Sequence, residues 1–350
     1  MRPGQVQSAL PAETSQGRTL VTRLSIVIPC VGPFAPLEET LASVLEHRPE
    51  DCEVLVPHTR PYANPYQLEG EVRFLHVADK RAVQLVNRAL EDASGDIIHL
   101  LAPGLEVVRG WTDPALSHFA DPSVAAVSPL VRPLNQPGRI ETLGVAYQRG
   151  GLRQDVGAQR PLPDYRDLKD DILGPSLSAG FYSREVLEAI GGLPLQLGDE
   201  LADVDLALTI RDLEMRAIFE PRAQVLTTAD YVPPQANSAL VRGRQAELLF
   251  WRHAQHDGLA LGLLHHPVAA FRDALGQGGL GRTLLHLLGR ALGLTSRGAA
   301  KVYEEQLQVA SELLADQPGN HTLSLEAARR EAAANAGARQ IPSANQKRAA

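Results

Sequence analysis

Cysteine is nearly absent from this chain: Cys30 and Cys52 are the two among 350 residues. Cys30 ends one strand candidate and Cys52 opens another, so no disulfide is expected and the chain reads as cytoplasmic, in a reducing compartment. Long apolar runs are missing too. No stretch reaches the ~18 uninterrupted apolar residues that suggest a membrane-spanning helix. The amino-terminal MRPGQVQSALPAETSQGRTLVTR lacks the apolar centre of a signal peptide. Nor is there a basic excess, since 34 Lys and Arg stand against 41 Asp and Glu, a net charge of −7. Phosphate backbones are held by basic faces, so nucleic acid is not an expected partner. What remains, 44% hydrophobic and 21% charged residues, is an ordinary globular composition that supports a sizeable core.

Along the chain, short apolar runs alternate with amphipathic ones. Strands are predicted at Leu24–Pro29, Glu53–Val56, Val72–Val77 and Asp96–Leu101, with helices at Pro36–Leu45 and Arg81–Ala93 between them. This alternation predicts an α/β fold with a central, mostly parallel sheet, whose ligands sit at the carboxyl ends of the strands. Further strands are expected at Val124–Val127, Ala217–Phe219 and Ala223–Leu226, and further helices at Ser183–Ile190 and Asp203–Leu213. The predicted division is a disordered leader (1–22), an α/β domain (23–235), a helical region (236–315) and a partly disordered tail (316–350).

Five fragments then occur in a telling order: SIVIPC (25–30), ADKRAVQLVNRALEDASGDIIHLL (78–101), SAGFYSREVLEAIGGL (178–193), DVDLALTIR (203–211) and PRAQVL (221–226). Through Asn87, Gly95, Asp96, Arg184, Glu185, Gly191, Gly192, Asp203, Asp205, Leu206 and Arg211, residues 24 to about 232 resemble family 2 glycosyltransferases of the GT-A type. The resemblance implies a GT-A-like (Rossmann-like) domain that transfers a sugar from a nucleotide-sugar donor to a glycan or lipid acceptor. It places the donor against Pro29, Cys30, Val31, His58, Asp79, Asn87, Ala102 and Gly104. Asp203 takes the position of the general base, with Asp205 and Arg211 in support on the acceptor side.

Three positions depart from that family. Its metal-binding aspartates follow the fourth strand, where this chain has Ala102-Pro103-Gly104, a turn without oxygen-bearing side chains. Its base-holding aspartate is replaced within Val56-Pro57-His58-Thr59-Arg60. Thr227 stands where the family often has a metal-completing His. The expectation is therefore a transferase that uses no divalent metal, with Lys80, Arg81 and Arg88 as candidate fixed cations or, more plainly, a solvated helix face. The alternative is a catalytically degenerate GT-A-fold protein that binds or scaffolds a partner.

Plainer readings stand beside the sharp ones. Asp203 could serve as a carboxylate at a helix start that stabilises the dipole, and Asp205 as an ion-pair partner of Arg211. His58, His76 and His99 read as strand residues, with His99 partly buried, rather than as a metal site. The Leu-rich stretch 259–293 reads as helices packed on the sheet domain. A peripheral membrane contact is its alternative, because it carries Arg272, Arg282 and Arg290.

Overall fold

The computed structural model describes residues 24–148, 152–229, 231, 237–256 and 258–315; the leader and tail expected at 1–22 and 316–350 lie outside the described residues. The first described element is β1 (Leu24–Val27), whose four residues are all buried, as in a strand covered on both faces. Next come α1 (Ala35–His47), with Pro36 in its first turn, β2 (Cys52–His58) and β3 (Val72–His76). The apolar stripe of α2 (Ala82–Asp92) turns Val83, Val86 and Leu90 inward. β4 (Ile97–Leu101), β5 (Leu105–Val107) and a short α3 (Thr112–Leu116) follow. Beyond β6 (Val124–Pro133) lies a hairpin of β7 (Val145–Gln148) and β8 (Leu152–Asp155). After α4 (Tyr165–Leu168) come β9 (Ala179–Ser183), α5 (Arg184–Ala189), α6 (Gly198–Asp212) and β10 (Arg216–Thr227).

Eight strands form one sheet in the order β3-β2-β1-β4-β9-β6-β10-β5. The pairs β3–β2, β2–β1, β1–β4 and β6–β10 are parallel, whereas β9 runs antiparallel to β4 and β6, and β5 to β10. The expected α/β architecture is therefore observed. One edge of the sheet collects the carboxyl ends of β1, β2, β4, β6 and β10 together with the start of β9. There Ala102 N–H donates to the Ser178 carbonyl at 2.7 Å.

Two apolar clusters sandwich the sheet: one packs α1 and Trp111 on it, the other α2, α5 and α6. Asn87 joins the layers on the second face. Its amide accepts from Leu193 N at 2.8 Å and donates to Leu193 O at 2.9 Å. A Cβ on Gly192, which has φ +80°, would stand 2.7 Å from Asn87 Oδ1, so the position requires glycine.

The differences from expectation have physical causes. The predicted pair of strands at 217–226 is one strand, β10, interrupted by a register shift between Glu220 and Gln224 that accommodates Pro221. Residues 179–183 form β9, a strand that the sequence pattern had not indicated. α6 begins at Gly198, five residues before the predicted start, so Asp203 lies inside the helix and not at its amino end. The helix-start reading of Asp203 is thereby withdrawn.

Four α-helices follow among the described residues: α7 (Ala239–His253), capped by the Ser238 hydroxyl, α8 (Leu259–Leu275), α9 (Leu280–Gly293) and α10 (Ala299–Ala315). α7 and α9 cross where Gly243, Gly289 and Gly293 leave no room for side chains. Among the described residues no helix is long and apolar enough to cross a membrane.

Candidate active site

The edge described above has two ends with different contents. At the β1–β2–β3 end, Cys30 bridges His58, and Thr59 Oγ1 donates to the Val31 carbonyl at 3.3 Å. Burial pushes the Cys30 thiol up to about 11, so it stays protonated. His58 is buried, with Nδ1 2.6 Å from the Arg60 carbonyl. Around it stand Phe34, Tyr62, Phe74 and His76: Tyr62 lies 4.7 Å from Phe34 and 4.9 Å from Phe74, ring to ring, and His58 lies 5.6 Å from His76. The Tyr62 hydroxyl donates to Glu38 at 3.3 Å. Five rings thus cluster at this end, with His58 buried, Phe34, Tyr62 and Phe74 half-buried and His76 exposed. The sequence reading missed this cluster, because its members are spread over more than forty residues, from Phe34 to His76.

The charged groups here are largely engaged. Hydrogen bonds from Arg81 hold the Asp79 carboxyl down to about 2, and the two side chains form an ion pair of 2.8 Å. Arg88 pairs with Glu91 and Asp92. The first amides of α2, Ala82 and Val83, donate to Asp199 of α6 at 3.0 and 2.9 Å, so a carboxylate of the chain itself caps this helix.

Ala102-Pro103-Gly104 is a tied turn. Gly104 has φ +86°, and its N–H lies 2.9 Å from Thr40 Oγ1 and 3.0 Å from the Pro36 carbonyl. Its carbonyl accepts from Thr228 N at 3.0 Å. The turn joins β4 to α1 and to the end of β10, and it offers no side-chain oxygen.

At the other end a cavity of about 350 Å³ opens between β6, the segment before β9, β10, β8 and helices α6 to α9. That is the lower end of ordinary ligand pockets, about 300–1,000 Å³. Thr142, Ser176, Ser178 and Thr227 line it with hydroxyls, and Glu141, Asp155 and Asp203 with carboxylates. Asp203 is 4% exposed, and burial raises its affinity for a proton against the opposing pull of Arg153. Arg153 grips it as a fork, Nε to Oδ1 at 3.1 Å and Nη2 to Oδ2 at 2.9 Å, while Nη1 reaches Asp155 at 2.9 Å. Val204 N adds a second donor to Oδ1 at 2.8 Å. A carboxylate oxygen accepts about two hydrogen bonds, so Oδ2 keeps room for one more donor. Burial beside Asp155 also raises the Glu141 carboxyl, and burial lifts the Tyr231 phenol to about 12.

Arg153 was invisible to sequence reading, because LRQD of β8 shows no apolar alternation. Asp205 does not pair with Arg211. It is buried against His253 Nε2 at 2.8 Å and Arg252 Nε at 2.7 Å, while Arg211 pairs with Asp212 at 2.8 Å. Both residues lie away from the cavity lining, and Asp205 ties α6 to α7. His99 is completely buried rather than partly so. It stacks on Phe181 at 3.8 Å, and Trp111 Nε1 donates to its Nε2 at 3.1 Å. Burial brings its pKa down to about 4, so it is neutral.

No protein-family profile and no curated protein matches the chain. Solved structures do. That of the mannosyltransferase PcManGT from Pyrobaculum calidifontis with GDP-Man and Mn²⁺ aligns at 21% identity over 86% of this chain and 89% of that one, with a TM-score of 0.48. That of GalNAc-T7 with UDP, GalNAc and Mn²⁺ aligns at 14% identity over 68% of this chain, with a TM-score of 0.52. This chain spans 51% of the GalNAc-T7 chain, about half its length. The chain has the GT-A fold.

One expectation is corrected by the second of these. The missing aspartates suggested that no divalent metal takes part, yet the GalNAc-T7 structure holds Mn²⁺. The physical error lay in counting protein ligands alone, because a divalent ion can be held largely by substrate phosphates and water. The described residues contain no group of three His, Cys, Asp or Glu side chains placed to hold a metal ion. Ala102 and Gly104 do not fit a carboxylate-held ion.

Proposed function

We propose that this protein is a glycosyltransferase that moves a sugar from a nucleotide-sugar donor to a hydroxyl of a glycan or lipid acceptor. The observation that carries the reading is the hydroxyl- and carboxylate-lined cavity at the strand ends, with buried Asp203 in its wall. A polyhydroxylated acceptor suits such a lining, because each carboxylate accepts hydroxyl donors and each Ser or Thr both donates and accepts. In the step proposed, the acceptor oxygen bonds to the anomeric carbon and the bond from that carbon to the diphosphate oxygen breaks. The nucleoside diphosphate leaves with the electron pair, and Asp203 Oδ2 takes the hydroxyl proton. Arg153 orients the carboxylate and opposes the upward pull of burial on its pKa.

On the donor side, Pro29, Cys30, Val31, His58 and Asp79 form the rim assigned to the nucleotide. Asn87, Ala102 and Gly104 act there by shaping backbone, since their polar groups are engaged within the fold. Asp205 holds α6 against α7, and Arg211 pairs with its neighbour Asp212.

A second reading, a catalytically degenerate GT-A-fold binding protein, is favoured by the ring cluster at the donor end. One experiment separates the two: a panel of UDP-, GDP- and dTDP-sugars with Mn²⁺ present, scored for melting temperature and for acceptor-dependent release of nucleoside diphosphate. A donor at 100 times its Kd stabilises the fold by about 2.7 kcal/mol. Stabilisation with release supports transfer, and stabilisation without release from any glycan or lipid acceptor supports the degenerate reading. A flat panel counts against both donor assignments.

A further inference from the structure

α8 and α9 are built inside out. Their buried positions hold small or polar residues, among them Gly262, Ala270 and Ala274 on α8 and Thr283, His286 and Gly289 on α9. Their large apolar residues face away from the protein. Leu264, Val268, Phe271 and Leu275 follow at i, i+4, i+7 and i+11, one helical stripe, and are 71%, 63%, 53% and 55% exposed. Leu284 and Leu288 continue the pattern on α9, at 59% and 50%. This reverses the ordinary surface helix, and the expectation that the leucines of 259–293 pack on the sheet domain is corrected. The cause lies in the crossing with α7. A Cβ on Gly243 would overlap the His286 carbonyl, and one on Gly289 the Leu240 carbonyl, so the inner face of α9 has no space for leucine.

Charge on this face is of one sign. Between residues 258 and 303 the chain has a single carboxylate, Asp273. It is engaged by Arg290 at 2.7 Å and His286 at 3.0 Å on the inner side. The exposed charges of the two helices are Arg272 and Arg282, in a protein whose net charge is −7. An apolar stripe flanked by arginines, with no exposed carboxylate, complements an anionic lipid surface. A second copy of the chain fits less well, because it would bring like-charged arginines together around the same stripe.

We propose that the outward face of α8 and α9 docks on the surface of an anionic lipid bilayer, with Leu264, Phe271 and Leu284 entering the acyl boundary and Arg272 and Arg282 meeting headgroup phosphates. The inner faces of the same helices supply Asp273 and His286 to the wall of the cavity, with Arg242 from α7 beside them. Docking therefore holds the cavity next to the bilayer. If the glycosyltransferase reading holds, its acceptor is lipid-borne; the membrane contact itself does not depend on that reading.

The test is co-sedimentation of the full chain with phosphatidylcholine vesicles, with and without about 30 mol% phosphatidylglycerol, alongside light scattering without lipid. The wild type is expected to bind the anionic vesicles at least ~10-fold more tightly than the neutral ones. A Leu264→Gln/Phe271→Gln variant, altered at exposed positions, should lose at least ~10-fold on anionic vesicles with an unchanged melting temperature. An Arg272→Gln/Arg282→Gln variant should lose about fivefold per arginine and keep its weak neutral binding. Absence of wild-type binding to anionic vesicles would overturn the proposal. So would a dimer dispersed by Leu264→Gln/Phe271→Gln, or binding that appears only once residues 316–350 are removed, since each names a different occupant for the face.

Discussion

The two ends of the sheet's carboxyl edge are built from opposite materials. At the β1–β2–β3 end the chain's own rings cluster, and Asp79 and Arg81 neutralise each other. At the β6–β9–β10 end the space is open, and carboxylates and hydroxyls face it. A ring cluster gains from staying closed, because opening it exposes apolar surface. A buried carboxylate held by an arginine is costly to leave alone, so the second end is set up to receive polar partners. On the proposed reading, a donor would have to displace rings at the first end, whereas the second end already offers a cavity.

Removing a charge from the open end should cost most. Asp203→Ala leaves Arg153 facing the cavity with Asp155 as its remaining partner. We expect a loss of about 2–3 kcal/mol by urea unfolding, below the ~3–5 kcal/mol of fully buried pairs because Arg153 keeps some solvent contact. Restoring most of that stability in Asp203→Ala/Arg153→Leu would show that the unpaired charge is the cause. A single variant as stable as the wild type would remove the contrast between the ends.

The closed end gives the next largest effect. If Tyr62 must swing out before a nucleotide enters, the apparent affinity is reduced by the fraction of closed molecules. Tyr62→Ala should then tighten UDP or GDP binding by about tenfold, roughly the worth of one aromatic pair, while lowering the melting temperature. Weakened binding on calorimetry would make Tyr62 a stacking platform for the base, and the end open rather than closed.

How much of this was legible beforehand follows the same division. β1 to β4, α1 and α2 were readable because their apolar periods match their burial, and Ser183 with Gly191-Gly192 marked both ends of α5. The GT-A order of Asn87, Gly192 and Asp203 was readable as well, although Asn87 and Gly192 turn out to be one backbone clamp. Contacts between distant residues were not. Arg153 reaches Asp203 across fifty residues, and Asp205 is satisfied by His253 at a separation of 48. Asp203 and Asp205 therefore look like surface positions in sequence and are buried in the fold. The outward leucines of α8 and α9 misled for a related reason: periodicity shows that a helix has an apolar stripe, not which way it faces.

A pH-dependent effect is expected between the two ends, at His99. Its unfolded-state pKa is near the ordinary 6.5 and its folded value is about 4. The unfolded chain therefore binds more protons than the folded one in this window. The stability contribution is full above pH 6.5 and is lost as pH falls toward 4, by less than about 1.4 kcal/mol per pH unit. Urea unfolding between pH 7 and 5 should show this slope, and His99→Gln should flatten it. An unchanged slope would mean that other groups set the acid limit.

The central claim is that Asp203 takes the acceptor proton, and a comparison inside a neutralised pair tests it most directly. Turnover is measured in Arg153→Gln and in Arg153→Gln/Asp203→Asn, with Mn²⁺ and the donor that the panel identifies. The two variants share the altered partner and differ only in the carboxylate. Removing a general base typically costs ~10²-fold or more, so the double variant should turn over at least ~100-fold more slowly than Arg153→Gln. The acid limb of the Arg153→Gln pH profile should also move upward, because Arg153 no longer favours the ionised form. Equal turnover in the two variants would contradict the account.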